Sequence, residues 1–256
     1  MRGRRWWGWG VALLALCAAT AAGWAADDLQ PAAGESKVEG GEATAALAAL
    51  KASFDKHPSV RVKVRAVMND ELLGERVETG EMLMQRPDKV LRIFHKPDGS
   101  PWKAWRLNGV QVAEFAPSLQ PPTRVKDFSA APKLLALLKA ASTMDLAALQ
   151  EYFDVHLFKA PGADSKPAQW RVVLAKKPGA KLGNADVPYQ FLIARVAEGA
   201  AFFSSLEKVP PAGAGDRLVE HFGDLKVEAE LSSESFEHAL LKDAGAQKPE
   251  AVKDPE

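Results

Sequence analysis

Histidines are the side chains best suited to metal or acid–base chemistry in this chain, and their spacing favours neither. The five histidines are His57, His95, His156, His221 and His238. None is paired as His-x-x-x-His or His-Glu-x-x-His, the spacing that brings two ring nitrogens to one helix face for Zn²⁺. The sequence therefore predicts no metal site, and each histidine is interpreted as a structural or surface residue.

Motifs for nucleophilic and phosphate chemistry are also missing. No Gly-x-Ser-x-Gly elbow is present, and Gly213–Gly215 resembles a hinge-like turn without the lysine of a phosphate loop. The single cysteine, Cys17, falls in the leader described next, so a mature chain has no thiol nucleophile, disulfide or cysteine-ligated metal. We expect a protein that is not an enzyme and needs no cofactor. A hydrolase that uses scattered polar residues stays an alternative.

Residues 1–25 have the pattern of a secretory signal peptide. Arg2, Arg4 and Arg5 precede the apolar run Val11–Ala22, and Gly23–Ala25 offers small residues for a signal peptidase. Cleavage near Ala25 predicts a periplasmic protein, whereas retention would leave a membrane anchor. Removing these arginines from 33 basic residues leaves 30 against 33 acidic ones, a formal charge of −3. Such a charge gives no basic field for nucleic acid.

The mature chain is long enough for one sizeable core. We predict one domain over residues 42–241, preceded by a flexible lead-in at 26–41 and followed by a disordered tail at 242–256. The lead-in is polar and contains glycine and alanine, and the tail is charged and contains alanine and proline. Neither segment shows a hydrophobic period.

Within that domain, one helix precedes a series of strands. Ala43, Ala46, Leu47, Leu50 and Phe54 share a helical stripe that ends before Pro58. Further segments alternate apolar and polar residues or are bounded by turn residues, which is typical of strands. These segments are Val60–Ala66, Arg76–Gln85, Lys89–His95, Trp102–Leu107, Val110–Phe115, Val155–Phe158, Gln169–Ala175, Tyr189–Val196, Ala201–Val209 and Leu225–Leu231.

Two shorter helices are expected in the middle of the chain. One contains Leu134–Leu138 after Pro132, and the other runs from a capping Asp145 to Tyr152. The order shows no βαβ rhythm, so we predict an α+β fold. Its sheet is expected to be large and antiparallel, with about 9–11 strands and about three helices, and a curved sheet closed by a helical lid is one arrangement that fits.

Several strands are apolar on both faces. Met82 and Met84 alternate with Leu83, and Leu91 and Ile93 alternate with neighbours that are also apolar. A sheet of this kind must be covered on both faces, or one face must receive a guest. Methionine side chains adapt to variable contents, which favours a guest. The alternative is that the helices complete a dry core.

The arrangement resembles the periplasmic lipoprotein carriers of the LolA type. The resemblance depends on the exported leader and first helix, on Gly80–Arg92, and on Trp105–Pro117. The second segment is a glycine-led strand, a basic residue before proline and a further apolar strand. The third is a hairpin whose Asn-Gly turn leads to a strand that ends in an aromatic residue and a proline. The resemblance spans roughly Ala43 to Leu231.

The resemblance implies a half-open β-barrel of about 9–11 strands under a lid of about three helices. It also implies a carrier that holds lipoprotein acyl chains in an apolar cavity on their way to the outer membrane. Arg86 matches the family's arginine before proline, which holds the lid closed. Val90 or Leu91 stands where the family often has an aromatic residue, which is a departure. The implied partners are the acyl chains, an inner-membrane releasing complex and an outer-membrane acceptor.

The predicted lipid-binding residues share an apolar side chain on the strands or the middle helix. They are Met82, Met84, Val90, Leu91, Ile93, Phe94, Trp102, Trp105, Phe115, Leu134, Leu137 and Leu138. The alternative within the same fold is an envelope sensor or scaffold whose interior is filled, or a protein that binds another lipid.

Overall fold

The computed structural model describes most of the chain beyond the predicted leader. The described residues are 27–70, 74–143, 146–162, 167–182, 185–186, 189–210, 217–229 and 231–254. The predicted signal peptide, Cys17, Asp145 and the turn Gly213–Gly215 lie outside them. No helix among the described residues is long and apolar enough to cross a membrane.

Three α-helices and fifteen strands are found in the described part of the chain. The helices are α1 (Gly40–Asp55), α2 (Pro132–Thr143) and α3 (Leu146–Leu149). The first strands are β1 (Ser36–Val38), β2 (Ser59–Asp70), β3 (Gly74–Gln85), β4 (Lys89–His95), β5 (Pro101–Asn108), β6 (Gln111–Phe115) and β7 (Thr123–Ala130). The later strands are β8 (Phe153–Ala160), β9 (Gln169–Lys176), β10 (Lys181–Leu182), β11 (Ala185–Asp186), β12 (Phe191–Ala197), β13 (Ser205–Val209), β14 (Arg217–Glu228) and β15 (Glu250–Lys253).

Thirteen of these strands form one open sheet, in the order β1-β8-β9-β12-β13-β14-β2-β3-β4-β5-β6-β7-β15. The predicted α+β class with a large antiparallel sheet is therefore confirmed, although the sheet has more strands than the 9–11 expected. Among the described strands, only β15 and β7 pair in parallel. The two halves of the chain join where β2 pairs with β14, from Ser59 opposite Glu228 to Asn69 opposite Arg217.

Alternation along the strands separates an inner face from an outer face. In β2, Val60, Val62 and Val64 are buried on the inner face. Arg61 and Lys63 point outward, where Lys63 Nζ lies 2.6 Å from a carboxylate oxygen of Asp224. The predicted half-buried strand with one wet face is thus confirmed, as expected for antiparallel strands that pack on one side.

The inner face curves around the main hydrophobic core. Arg92 on β4 pairs with Glu220 on β14 although β2 and β3 lie between them. Strands are about 4.8 Å apart, so this ion pair requires strong curvature. At Gly80 the backbones of β3 and β4 approach closely, since an added Cβ would lie 2.1 Å from the carbonyl oxygen of Ile93. Only glycine fits this approach.

Helices α1 and α2 cover the inner face. Leu50 and Phe54 of α1, with Leu137 and Ala140 of α2, are buried in the same hydrophobic cluster as the inner strand residues. The helix predicted before Pro58 is confirmed as α1. Helix α3 is shorter than the predicted helix ending at Tyr152, because its single turn leads directly into β8.

Two segments that contain short 3₁₀-helices, rather than α-helices, cover the outer face. We call residues 27–38 the N-terminal strap and residues 231–254 the C-terminal strap. Leu29 of the N-terminal strap packs on an outer cluster around Phe158 and Val173. The C-terminal strap contributes its own apolar residues to a second outer cluster, and these are Leu231, Phe236, Leu241 and Ala244.

The straps correct two sequence-based expectations. The segment 26–41, predicted as a flexible lead-in, contains β1, which pairs with β8. The segment 242–256, predicted as disordered, contains the end of a 3₁₀ turn, Ala239–Ala246, and strand β15. The described residues of these segments, 27–41 and 242–254, pack on the sheet because an apolar outer face is available to them, and that face exists only after the sheet has formed.

Candidate functional site

Arg86, the residue matched to the lid-closing arginine, lies directly after β3 and contacts the end of α1. Its Nη1 atom donates to the carbonyl oxygens of His57 and, at 3.3 Å, of Phe54. Its Nη2 atom donates to the carbonyl oxygen of Ala201 at 3.2 Å. The last carbonyls of a helix have no partner within the helix and carry the negative end of its dipole. Arg86 therefore closes the end of α1 and ties it to the loop before β13.

The guanidinium of Arg86 is buried without a carboxylate. No acidic group of the described residues lies within ion-pair distance of it, and its charge is met by carbonyls and by the rings of Phe54 and Phe202, at 5.2 and 5.8 Å. Burial lowers the pKa of Arg86 to about 10, against an opposing effect of Asp55. The side chain stays charged at neutral pH, but its desolvation is only partly compensated.

Helix α1 is fixed mainly at its C-terminal end. Its buried residues are Leu50, Ser53 and Phe54, whereas its first ten residues are exposed or half-buried. Ser53 Oγ donates to the carbonyl oxygen of Ala200 at 2.9 Å, and the ring of Phe54 meets that of Phe203 edge-on at 5.1 Å. At the other end, Glu39 makes no side-chain cap. The contacts of this helix therefore concentrate around Arg86.

Most of the predicted lipid-binding residues lie together on the inner face. Met82, Met84, Val90, Phe94, Trp105 and Leu137 are buried in the main cluster, and Trp102 and Leu134 pack at its margin. The side chain of Leu138 lies outside the described part of the structure. These positions come from β3, β4, β5 and α2, which the sheet and its helical cover bring together.

Three of the predicted residues lie on the opposite face. Leu91 and Ile93 are buried in an outer cluster, and Phe115 packs against it. Successive side chains of a strand point to opposite faces, so Leu91 and Val90 cannot line the same surface. The C-terminal strap covers these three residues, so the structure does not bring them together with the other predicted lipid-binding residues.

The inner face is tightly packed in this closed arrangement. Val60 has no exposed surface, and Val62, Leu107 and Val172 are each 1% exposed. A cavity wide enough for an acyl chain would leave accessible area on the side chains that line it. Beside these four residues, the core is filled. A ligand would therefore have to displace a covering element.

A shallow pocket of about 260 Å³ lies between α2 and α3, away from the sheet. Pro132, Lys133, Ala136, Leu137, Ala148, Glu151 and Tyr152 line it. Leu137 and Tyr152 also border the main core, so this pocket adjoins the margin of the inner face. No strand residue lines this pocket, so it is not a cavity between α2 and the sheet.

Sequence reasoning missed a buried charged network on the inner face. Glu220 pairs with Arg92 and with Lys208, whose Nζ lies 3.2 Å from its second carboxylate oxygen, and Glu220 and Lys208 are almost fully buried. Burial raises the pKa of Glu220, but the charges of Arg92 and Lys208 outweigh it and lower that pKa to about 2. A signal existed, because Arg92 stands at an inward position between Val90 and Phe94.

His238 is close enough to His95 for the charge of His95 to act on it. His238 accepts a hydrogen bond at Nδ1 from the backbone N–H of Leu240, which is a structural cap. No group of three or more metal-ligating side chains is found among the described residues. The inner face consists mainly of apolar side chains, with Arg86 at its margin.

No protein-family model matches the chain, and no curated protein matches it. Solved structures that it resembles include a LolA superfamily protein from Nitrosomonas europaea, with 13% identity, a TM-score of 0.39, and 77% of this chain and 97% of that chain covered. A second, from Vibrio parahaemolyticus, is described as an outer-membrane lipoprotein-sorting protein domain, with 12% identity, a TM-score of 0.40, and 76% and 97% covered.

A third similar structure is the complex of MucA and MucB from Pseudomonas aeruginosa, with 11% identity and a TM-score of 0.40 over 76% of this chain and 61% of that chain. At these identities and TM-scores the likeness assigns no ligand.

Proposed function

We propose that this chain is a non-enzymatic periplasmic carrier whose inner face binds the acyl chains of lipoproteins beneath α1 and ferries them to the outer membrane. In this proposal the sheet acts as a half-barrel, and α1 and α2 act as its lid. An inner-membrane releasing complex and an outer-membrane acceptor would be its partners. The periplasmic location follows from the predicted leader, with cleavage near Ala25.

The observation that carries the proposal is the way in which Arg86 holds α1. A buried cation without a carboxylate gives a closing contact of small net stability, since the hydrogen bonds that it gains are offset by lost hydration. When α1 moves away, Arg86 returns to water and recovers that hydration. The Arg86 contact therefore adds little to the free energy that separates the closed from the open position of α1, which favours a reversible lid.

Opening α1 would expose the apolar surface that an acyl chain needs. Leu50 and Phe54 would leave the core, and inner residues such as Met84 and Val60 would lose their cover. Each methylene of a bound chain contributes about 0.8 kcal/mol, so a few methylenes offset the loss of Arg86's three hydrogen bonds. The flexible methionines at Met82 and Met84 suit chains of different shape.

Binding of an acyl probe tests the proposal. We would titrate the mature protein with a fluorescent C16 acyl probe and identify co-purified lipid by native mass spectrometry. Arg86→Met should bind the probe about five times more tightly, because it shifts α1 toward the open state. Arg65→Met is the matched control, since Arg65 is exposed and makes one ion pair at 3.8 Å with Glu75. Absence of binding by every variant would refute the carrier.

A second candidate, a protein-binding sensor or scaffold with a filled interior, is favoured by one observation. The network of Arg92, Lys208 and Glu220 crosses the inner face, and a bound acyl chain would have to lie beside these charges. Under this candidate the inner face stays closed. Probe binding would then be absent even in Arg86→Met, while the protein keeps its fold.

A further inference from the structure

The first turn of α2 is capped from the far end of the chain. The backbone N–H groups of Lys133 and Leu134 donate to the carboxylate of Asp254, at 2.9 Å to Oδ2 and 3.1 Å to Oδ1. The residue before Pro132 is Ala131, which has no side chain able to accept these bonds. The cap of this lid helix is thus supplied by a residue separated from it by 120 positions in sequence.

Asp254 is held in place by strand β15. Glu250 and Ala251 pair with Lys126 and Asp127 of β7, and the register shifts before Lys253 reaches Ala130. The backbone N–H of Asp254 then donates to the carbonyl oxygen of Ala130 at 3.3 Å. Residues 250–253 therefore pair with the sheet edge, and the next residue, Asp254, caps α2.

This segment is weakly held compared with the strap that precedes it. Glu250, Ala251 and Lys253 are exposed, and only Val252 is partly buried, at the margin of the main core. Upstream, Leu241 and Ala244 are buried on the outer face. A short parallel strand with a register shift and few buried contacts opens locally at low cost. The rest of the C-terminal strap is expected to stay attached when β15 leaves.

Helix α2 borders both the main core and the pocket beside α3, so release of β15 would affect both. Leu137 belongs to the main core, while Pro132 and Lys133 line the pocket beside α3. Losing the cap frees the end of α2 that joins β7, and this end borders both the pocket and the inner face. Release of β15 would therefore loosen α2 without disturbing the contacts of α1 with Arg86.

We infer that residues 250–254 form a releasable latch, in which pairing of β15 with β7 places Asp254 on α2 and holds this half of the lid closed. The latch gives the lid two independent fastenings, Arg86 on α1 and Asp254 on α2. Its link to ligand uptake rests on the proposed function, whereas the coupling of β15 to α2 does not.

Hydrogen exchange on the mature protein tests the latch without any ligand. In Asp254→Ala, the α2 amides of residues 135–140 should exchange about fivefold faster, the effect of losing a typical cap. Asp254→Asn keeps one accepting oxygen and replaces the other with a donating amide group, so it should restore slow exchange only in part. Asp243→Ala is the matched control, because Asp243 is an exposed carboxylate of the same strap. Equal α2 exchange in Asp254→Ala and Asp243→Ala would overturn the inference.

A second variant covers the case in which Asp254→Ala does not fold. Ala251→Pro disturbs the β15–β7 pairing and keeps Asp254, so it should also speed exchange in α2 but not in α1. Slow exchange in α2 of this variant would contradict the coupling. The C16 probe separates the two proposals: faster α2 exchange with no probe binding by any variant would leave the latch standing and reject the carrier.

Discussion

Two buried arginines fasten a covering segment to the two faces of the sheet, and they do so differently. Arg86 holds α1 on the inner face through carbonyl groups only. Arg171 holds the N-terminal strap on the outer face and pairs with Glu35, its Nη2 atom 2.6 Å from a carboxylate oxygen. Arg171 also donates to the carbonyl oxygens of Asp28 and Gln30 and lies 4.1 Å above the ring of Phe158.

The difference is one of charge balance. The side chains of Arg171 and Glu35 are 5% and 6% exposed, and the pair is neutral as a whole. Opening it would separate two charges that compensate each other, whereas opening the Arg86 contact only exchanges carbonyls for water. The outer cover is therefore built as a permanent attachment, and the inner cover as one that can be released.

The largest expected loss of stability comes from breaking the ion pair between Arg171 and Glu35, which attaches the N-terminal strap. Glu35→Ala leaves Arg171 buried without its carboxylate and should lower the free energy of unfolding by about 3–5 kcal/mol. Urea denaturation measures the change. Glu39→Ala, which removes an exposed carboxylate beside Lys37, should cost much less. Equal losses in the two variants would remove the distinction between the two arginines.

Arg86→Met should cost less, about 1.5–3 kcal/mol, because lost hydrogen bonds to a charged group are partly offset by relief of desolvation. The loss should be local, with faster hydrogen exchange in α1 and little change in the N-terminal strap. Arg86→Lys should not restore the parent, since one ammonium group cannot bridge carbonyls of both segments as the guanidinium fork does. A global loss as large as that of Glu35→Ala would contradict the comparison.

Acid should release the outer strap before it releases α1. Burial raises the pKa of Glu35, but hydrogen bonds from Arg171 and Ala32 and the charges of Arg171 and Arg195 outweigh it, so this pKa is lowered. Its stabilisation is complete above the unfolded value of 4.5 and is lost as the pH falls through the lowered pKa, by at most about 1.4 kcal/mol per pH unit. Arg86 binds carbonyls, which do not titrate.

Limited proteolysis between pH 5 and 3 would measure this order of release. Glu35→Ala is the control, because it removes the pH-dependent stabilisation by Glu35. It keeps the pH-dependent stabilisation by Glu220, the buried carboxylate of the inner face. Cleavage in α1 before cleavage in residues 27–38 would contradict the expected order.

The smallest effect concerns the second contact of α1. Ser53→Ala removes the hydrogen bond to Ala200 and should cost about 1 kcal/mol, visible as slightly faster exchange in α1. Ser36→Ala is a matched change at an exposed site, where the Oγ of Ser36 lies 3.4 Å from the carbonyl oxygen of Lys159. Equal losses of stability in Ser53→Ala and Ser36→Ala would mean that Arg86 and the apolar contacts of α1 attach this helix without help from Ser53.

The sequence predicts the inner cover, with α1 and the strands beneath it, better than it predicts the straps on the outer face. Helix α1 and strands β2 to β6 follow local rules, namely a helical stripe that ends at Pro58, period-two alternation, and the Asn108-Gly109 turn. The contact between Arg86 and α1 was expected from the family resemblance, because an arginine before a proline has no local signature of its own.

The straps could not be predicted in the same way. Leu231, Phe236, Leu241 and Ala244 follow no helical or strand period, since their spacing is set by the outer face on which they lie. Arg171 stands in an apolar strand, where its outward position is visible but its partner Glu35 is not. Strand β7 is absent from the predicted strands because its apolar residues Val125 and Phe128 lie three positions apart, on opposite faces, and so break the period of two.

Pairing of β2 with β14 sets the order in which this protein can fold. Ser59 meets Glu228, so the centre of the sheet consists of strands from opposite ends of the domain. Contacts of such long sequence separation form slowly, because a large loop must close before any of them is gained. A chain that emerges from its N-terminus can pair β2 with β3, but one edge of β2 stays unpaired until β14 has emerged, and during this interval its apolar side chains are open to aggregation.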